Sequence, residues 1–125
     1  MVKSKYKRII ETDGQIFPSM GQEMNYSYIV NLTHEIRNEY YKRFDDLLAF
    51  ITEIETKFGR IIITSAFRCQ AWEYYRKRSG RSIHTYGLAV DFYHPKLSEI
   101  HEYLKQKNLR ELIYYEKRNF IHVAL

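Results

Sequence analysis

One acidic residue inside an apolar run sets the strictest condition on this chain. Leu88-Ala89-Val90-Asp91-Phe92-Tyr93 reads as a core strand, being short, apolar and rich in residues that suit a pleated surface. Alternation puts Leu88, Val90 and Phe92 on the core side and Ala89, Asp91 and Tyr93 on the other. A carboxylate on such a strand is costly to desolvate unless something pairs with it. The fold must therefore bring partners to Asp91. His84 lies seven residues earlier, and in one flat strand an odd separation would put the two on opposite faces. The chain must bend between them, and Gly87 is the residue that permits a bend without steric cost. A second imidazole stands in the closing Phe120-Ile121-His122-Val123. There Ile121 and Val123 supply the apolar face, and Phe120, His122 and Ala124 the other.

Together His84, Asp91 and His122 offer two imidazoles and one carboxylate, the donor set of a catalytic zinc site with one position left open. A structural zinc site would more often be closed by cysteines, and Cys69 is the single cysteine of the chain. That lone thiol also rules out an intrachain disulfide, so the fold needs no oxidising compartment. Taken singly, a histidine is more often a hydrogen-bonded structural residue than a ligand, and His34, His94 and His101 are read that way. Cys69 is read as buried and inert.

At 125 residues the chain is expected to form one domain. No run approaches a membrane span. The basic N-terminus, Met1 to Arg8, is followed only by Ile9-Ile10 before Glu11 and Asp13, so no signal core is expected. This implies cytoplasmic synthesis. The net charge of +5 and a pI near 9.3 favour polyanionic surroundings such as nucleic acid, anionic lipid or the polymers of a bacterial wall. The charge alone does not choose among them.

Residues 1–27, with turn signals at Asp13-Gly14 and Pro18-Ser19, are expected to be an irregular lead-in. Ile36, Tyr40, Phe44, Leu47, Leu48, Ile51 and Ile54 recur at helical steps and predict a long helix from Thr33, its N-cap, to a stop at Gly59. A strand over 60–65, a helix over 70–79, the strand over 88–93, a helix over about 97–107 capped by Ser98, and two closing strands over 111–116 and 119–123 follow. This order predicts an α+β fold, a small mainly antiparallel sheet with helices on one side.

Ser82-x-His84-x-x-Gly87-x-Ala89-x-Asp91, followed near the C-terminus by Phe120-x-His122, resembles the zinc D-alanyl-D-alanine carboxypeptidases and the L-alanyl-D-glutamate endopeptidases of phage lysins, whose fold is related to the hedgehog signalling domain. Ile63-Thr-Ser-Ala-Phe-Arg68 is similar to the family's strand ending in Ser-Gly-Tyr-Arg, with Ala66 in place of the glycine. Leu112-Ile-Tyr-Tyr-Glu116 resembles its closing hairpin, and the likeness covers roughly residues 60–125. It implies that His84, Asp91 and His122 bind zinc, that Arg68 stabilises an oxyanion or anchors a carboxylate, and that a glutamate near the last histidine is the general base. Many members place that glutamate three residues before the histidine. Asn119 stands there in this chain, so Glu116, six residues before His122, takes the role, as in the hedgehog-like branch. Ser82, Tyr93 and Tyr114 are expected at the substrate, the two tyrosines because strand parity sets them on the metal side.

The resemblance implies hydrolysis of an amide bond in peptidoglycan stem peptides, either as a carboxypeptidase or as an endopeptidase of the phage-lysin kind acting at the bacterial wall. A monomer is expected, without a specific nucleic-acid partner. A non-catalytic zinc-binding module of the same fold is the second reading, supported by Asn119. A basic nucleic-acid-binding domain is the third, but it leaves the His84, Asp91 and His122 set without a purpose.

Overall fold

The computed structural model describes residues 2–12 and 20–125. The turn signals at residues 13–14 and 18–19 lie outside the described residues. The elements run α1 (Lys7–Ile10), α2 (Met20–Val30), α3 (His34–Phe58), β1 (Ile62–Ser65), α4 (Gln70–Tyr75), β2 (Ala89–Tyr93), α5 (Leu97–Leu104), β3 (Glu111–Tyr115) and β4 (Phe120–Ala124). Three 3₁₀ turns, Ser4–Tyr6, Ile83–Tyr86 and Glu116–Arg118, complete them. The fold is α+β, with one four-stranded sheet in the order β1-β2-β4-β3 and every pair antiparallel. Among the described residues no helix is long and apolar enough to cross a membrane.

Helix α3 forms where the periodicity demands it and does not break. Thr33 caps it, its hydroxyl accepting from the Ile36 amide, and Gly59 ends it at φ 92°. Its inner face, including Phe44, Leu47, Ile51 and Ile54, joins Leu97, Ile100 and Leu104 of α5 and Ile63, Val90, Phe92, Ile121 and Val123 of the sheet in one buried cluster. The other side of the sheet is left for Asp91 and His122. Phe44 is the hub, with Tyr6, Tyr40, Tyr41 and Phe67 all within 6.4 Å between ring centroids. Gly87 stands against it at φ 73°, where a β-carbon would lie 2.6 Å from the Phe44 ring. The expected bend is therefore also a point of close approach, and both features demand glycine.

Three expectations fail at helix ends. Helix α5 closes at Leu104 and not near residue 107. Helix α4 stops at Tyr75, four residues early, and Arg76, Lys77 and Arg78 lie beyond it in a turn with Lys77 at φ 61°. Ser98 caps nothing. Lys96 precedes α5, and its amide donates to Nδ1 of His94, whose Nε2 meets the Phe58 carbonyl.

The larger correction concerns residues 1–27, which are not irregular where they are described. Residues 4–10 coil into a 3₁₀ turn and α1, and α2 occupies Met20–Val30. Helix α2 hid from the hydrophobic pattern because its buried face is Gly21, Gln22, Asn25 and Ile29, mostly polar or small. The segment is tied down firmly. Tyr6 stacks on Tyr41 at 4.5 Å, Ile9 and Ile10 are fully buried, and Arg37 of α3 donates to the carbonyls of Ile29, Val30 and Leu32 at the end of α2.

Arg8 fixes α1 to α3 through a two-pronged pair with Glu55 at 2.8 and 3.0 Å, and Glu55 also accepts from the Ile61 amide. Burial alone would raise the Glu55 carboxyl, but these donors outweigh it and hold it below its ordinary value. A depressed carboxyl adds stability that is present above its unfolded pKa and lost as pH falls through the folded one. Glu55→Gln is expected to cost about 1–2 kcal/mol at pH 7. The difference from wild type should shrink to nothing once the pH is well below the ordinary carboxylate range, read from denaturant midpoints at several pH values.

Candidate metal centre

The register of two central strands builds the site. Asp91 on β2 pairs with His122 on β4, so their side chains rise together from the face opposite the core. His122 Nδ1 lies 2.7 Å from Asp91 Oδ1. His84 arrives from the 3₁₀ turn before β2, and its Nε2 lies 3.3 Å from the same oxygen. One ligand atom from each residue falls within 4.8 Å of the others.

The second nitrogen of each ring has its own partner. His84 Nδ1 is 2.7 Å from the Ala66 carbonyl. A carbonyl only accepts, so Nδ1 carries a proton there and Nε2 is the ring nitrogen that faces Asp91. His122 Nε2 is 2.8 Å from Glu111 Oε1. Burial would push the Asp91 carboxyl up, yet hydrogen bonds from both imidazoles bring it down to about 2. Hydrogen bonding to Asp91 raises the His122 ring above its usual value against the pull of burial, and Glu111 adds to it. Two nitrogens and one oxygen thus converge with their outer hydrogen bonds already made, which is the chemistry a divalent metal of zinc type accepts.

The donors sit in an open cavity of about 720 Å³. Arg68, Arg78, Arg81 and Arg118 line it, against two carboxylates among the described residues, Asp91 and Glu111. Arg68 is held in place. Its Nε lies 3.2 Å from the buried Glu73 carboxylate, and its Nη2 donates to Ser82 Oγ at 3.3 Å. Arg78 reaches the same Glu73 at 3.7 Å. Ser82 lines the cavity, and its hydroxyl also accepts from the His84 amide, so it orients both Arg68 and His84.

The remaining expected site residues fall elsewhere. Tyr114 pairs with Ile121 and so points to the core side, its ring 5.2 Å from His101 on α5. The expectation that it faces the metal fails because the turn leaves four residues, 116–119, between the paired Tyr115 and Phe120. That spacing puts Glu111, Ile113 and Tyr115 on the His122 side instead. Tyr93 shares the Asp91 face but pairs with Ile62, beyond the cavity lining. Tyr86, Tyr115 and Phe120 are the aromatic residues that line it. Glu116 is exposed at the first position of the 3₁₀ turn and is not among the lining residues, although Tyr115 and Arg118 on either side of it are. Asn119 ends that turn at φ 63°, a left-handed conformation that asparagine tolerates. Glu111 was missed because it matches no motif. Its parity with Tyr115 was the signal, readable only once the turn length is known.

Residues far from the cleft hold its back wall. Asn25 of α2 donates to the Phe67 carbonyl at 3.0 Å and accepts from the Cys69 amide at 2.8 Å, while the Phe67 amide reaches the Ile9 carbonyl. These bonds fix the segment that carries the Ala66 carbonyl and Arg68. Cys69 is buried as expected, its sulfur accepting from the Trp72 amide at the start of α4, and burial pushes its thiol pKa up. Asn25→Ala leaves a buried carbonyl and a buried amide without partners. It is expected to cost about 1–3 kcal/mol, read as a lowered thermal midpoint.

Residues 22–124 match the family model described as Peptidase M15. No curated protein and no solved structure matches the chain.

Proposed function

Because this chain belongs to the Peptidase M15 family, we propose that it is a zinc-dependent metallopeptidase that hydrolyses an amide bond in peptidoglycan stem peptides. The observation that carries this is the convergence of His84 Nε2, Asp91 Oδ1 and His122 Nδ1 inside an arginine-lined cavity. These three residues would hold the ion. When bound, zinc supplies Lewis acidity, polarising the scissile carbonyl and easing deprotonation of the attacking water.

The other residues supply binding and proton transfer. Arg68, braced by Glu73 and Ser82, is the candidate to receive the charge that develops on the carbonyl oxygen or to anchor a substrate carboxylate. Burial draws the Arg68 pKa down while Glu73 and Asp91 oppose this, and a guanidinium so placed is a preorganised cation. Four arginines against two carboxylates favour an acidic substrate, which suits stem peptides with their free carboxylates. Glu116 takes the water proton and returns it to the leaving amine. The role requires its side chain to turn inward over the rim between Tyr115 and Arg118. Tyr86, Tyr115 and Phe120 give the peptide its walls. The proposal extends to carboxypeptidase or endopeptidase action of the phage-lysin kind, by a monomer acting at the wall.

A non-catalytic zinc module is the second reading, favoured by the exposed position of Glu116. Release of free amines from purified peptidoglycan separates the two. Wild type is expected to release them, and Glu116→Gln to do so roughly 10²–10⁴-fold more slowly with zinc content unchanged. A zinc-loaded wild type that releases nothing across several wall chemotypes establishes the module instead.

A further inference from the structure

We propose that Glu111 is a positioning residue for the metal centre, holding His122 in the orientation that presents Nδ1 to the ion. The inference rests on the zinc reading above and adds to it a residue outside the ligand set. Glu111 and His122 are diagonal neighbours on β3 and β4, since Glu111 pairs with Ala124 and His122 with Ile113. A diagonal pair on one face is within reach of a long side chain, and the 2.8 Å contact between Glu111 Oε1 and His122 Nε2 uses that reach.

The hydrogen-bond arithmetic gives the contact its purpose. Both groups facing the His122 ring are carboxylates, Asp91 at Nδ1 and Glu111 at Nε2. Carboxylates accept, so the Glu111 contact calls for a proton on Nε2. A metal ion held with Asp91 and His84 would meet the ring at Nδ1, the nitrogen that faces them. The proton at Nε2 remains, and Glu111 is its acceptor. The ring is then fixed as one tautomer, its flip is penalised, and its basicity toward the ion rises. His84 is served in the same way by the Ala66 carbonyl. The two imidazoles thus present opposite nitrogens to the centre, Nε2 from His84 and Nδ1 from His122, and each is held by an acceptor behind it.

Glu111 is placed for this role and not for folding. Its side chain is 46% exposed, so its removal leaves no buried group unpaired except the His122 ring. Ion pairs this exposed contribute little to stability.

Zinc affinity measured by chelator competition at fixed pH tests the proposal without substrate. Glu111→Ala is expected to weaken zinc binding about 10–100-fold. Glu111→Gln keeps an acceptor oxygen and should lose less than about tenfold by the same argument. Glu99→Ala, which removes an equal charge from an exposed position on α5, should stay within about twofold, as surface charges act weakly at a distance. In the zinc-loaded wild type, nitrogen NMR is expected to show the His122 proton on Nε2. Zinc affinity of Glu111→Ala equal to wild type, or a His122 proton on Nδ1 in the loaded protein, overturns the proposal. Failure of wild type to bind zinc overturns the metal reading itself. Zinc binding without wall hydrolysis overturns only the peptidase reading, and the Glu111 result stands.

Discussion

The antiparallel register between β2 and β4 is the constraint from which the site follows. Asp91 and His122 meet because Val90 pairs with Val123 and Phe92 with Ile121 on the opposite, buried face. A slip of one residue would send His122 into the core and bring Ile121 or Val123 to the cavity. The hydrophobic effect that buries those four side chains therefore also sets the distance between carboxylate and imidazole. Desolvation makes an unpartnered Asp91 costly on such a strand, and the structure answers with two imidazoles on one oxygen. The candidate metal site and the core packing are specified by the two faces of the same strand pair.

His84 has no strand to position it and depends on a chain of loop contacts. Gly87 turns the backbone under the Phe44 ring, and the Ala66 carbonyl orients the imidazole from behind. That carbonyl is in turn fixed by Asn25 and by the Ile9 backbone through Phe67. So α1 and α2, which contribute none of the three candidate ligands, brace one of them. Residues 2–12 precede the stretch matched by the family model, yet Ile9 and Ile10 are fully buried against the segment that carries Arg68.

The legibility of the chain divides along physical lines. Helix α3 and strand β2 were readable because one face of each is almost wholly apolar and the period is unambiguous over its length. The grouping of His84, Asp91 and His122 was readable because an acid in an apolar strand is conspicuous. Helix α2 was not, because Gly21, Gln22 and Asn25 bury polar or backbone surface through hydrogen bonds and close packing that no hydrophobicity pattern records. Tyr114 and Glu111 were misplaced or overlooked for a single reason. Parity within a strand is local, but parity across a hairpin is set by the number of residues in the turn. The 3₁₀ turn Glu116–Arg118 with left-handed Asn119 makes that number even. An odd turn would have exchanged Tyr114 for Tyr115 and Leu112 for Ile113 on the cleft side.

That same turn governs the chemistry the cavity can perform. It places Arg118 on the lining and stacks Tyr115 on Phe120 at 4.5 Å between centroids, while leaving Glu116 exposed. With Glu73 paired to both Arg68 and Arg78 from behind, one carboxylate against two guanidiniums, Arg81 and Arg118 line the opening without a carboxylate of their own among the described residues. A bound divalent cation would add to this positive field. An anionic peptide entering it gains charge neutralisation that a neutral one does not, and the gain grows as the cleft loses water. Acidic groups on the proposed substrate would be the complement of the arginines, and the carboxylate of Glu116 would enter the same field if its side chain turned inward. Under the proposed function, the charge of the substrate and the Glu116 carboxylate would thus meet one electrostatic arrangement.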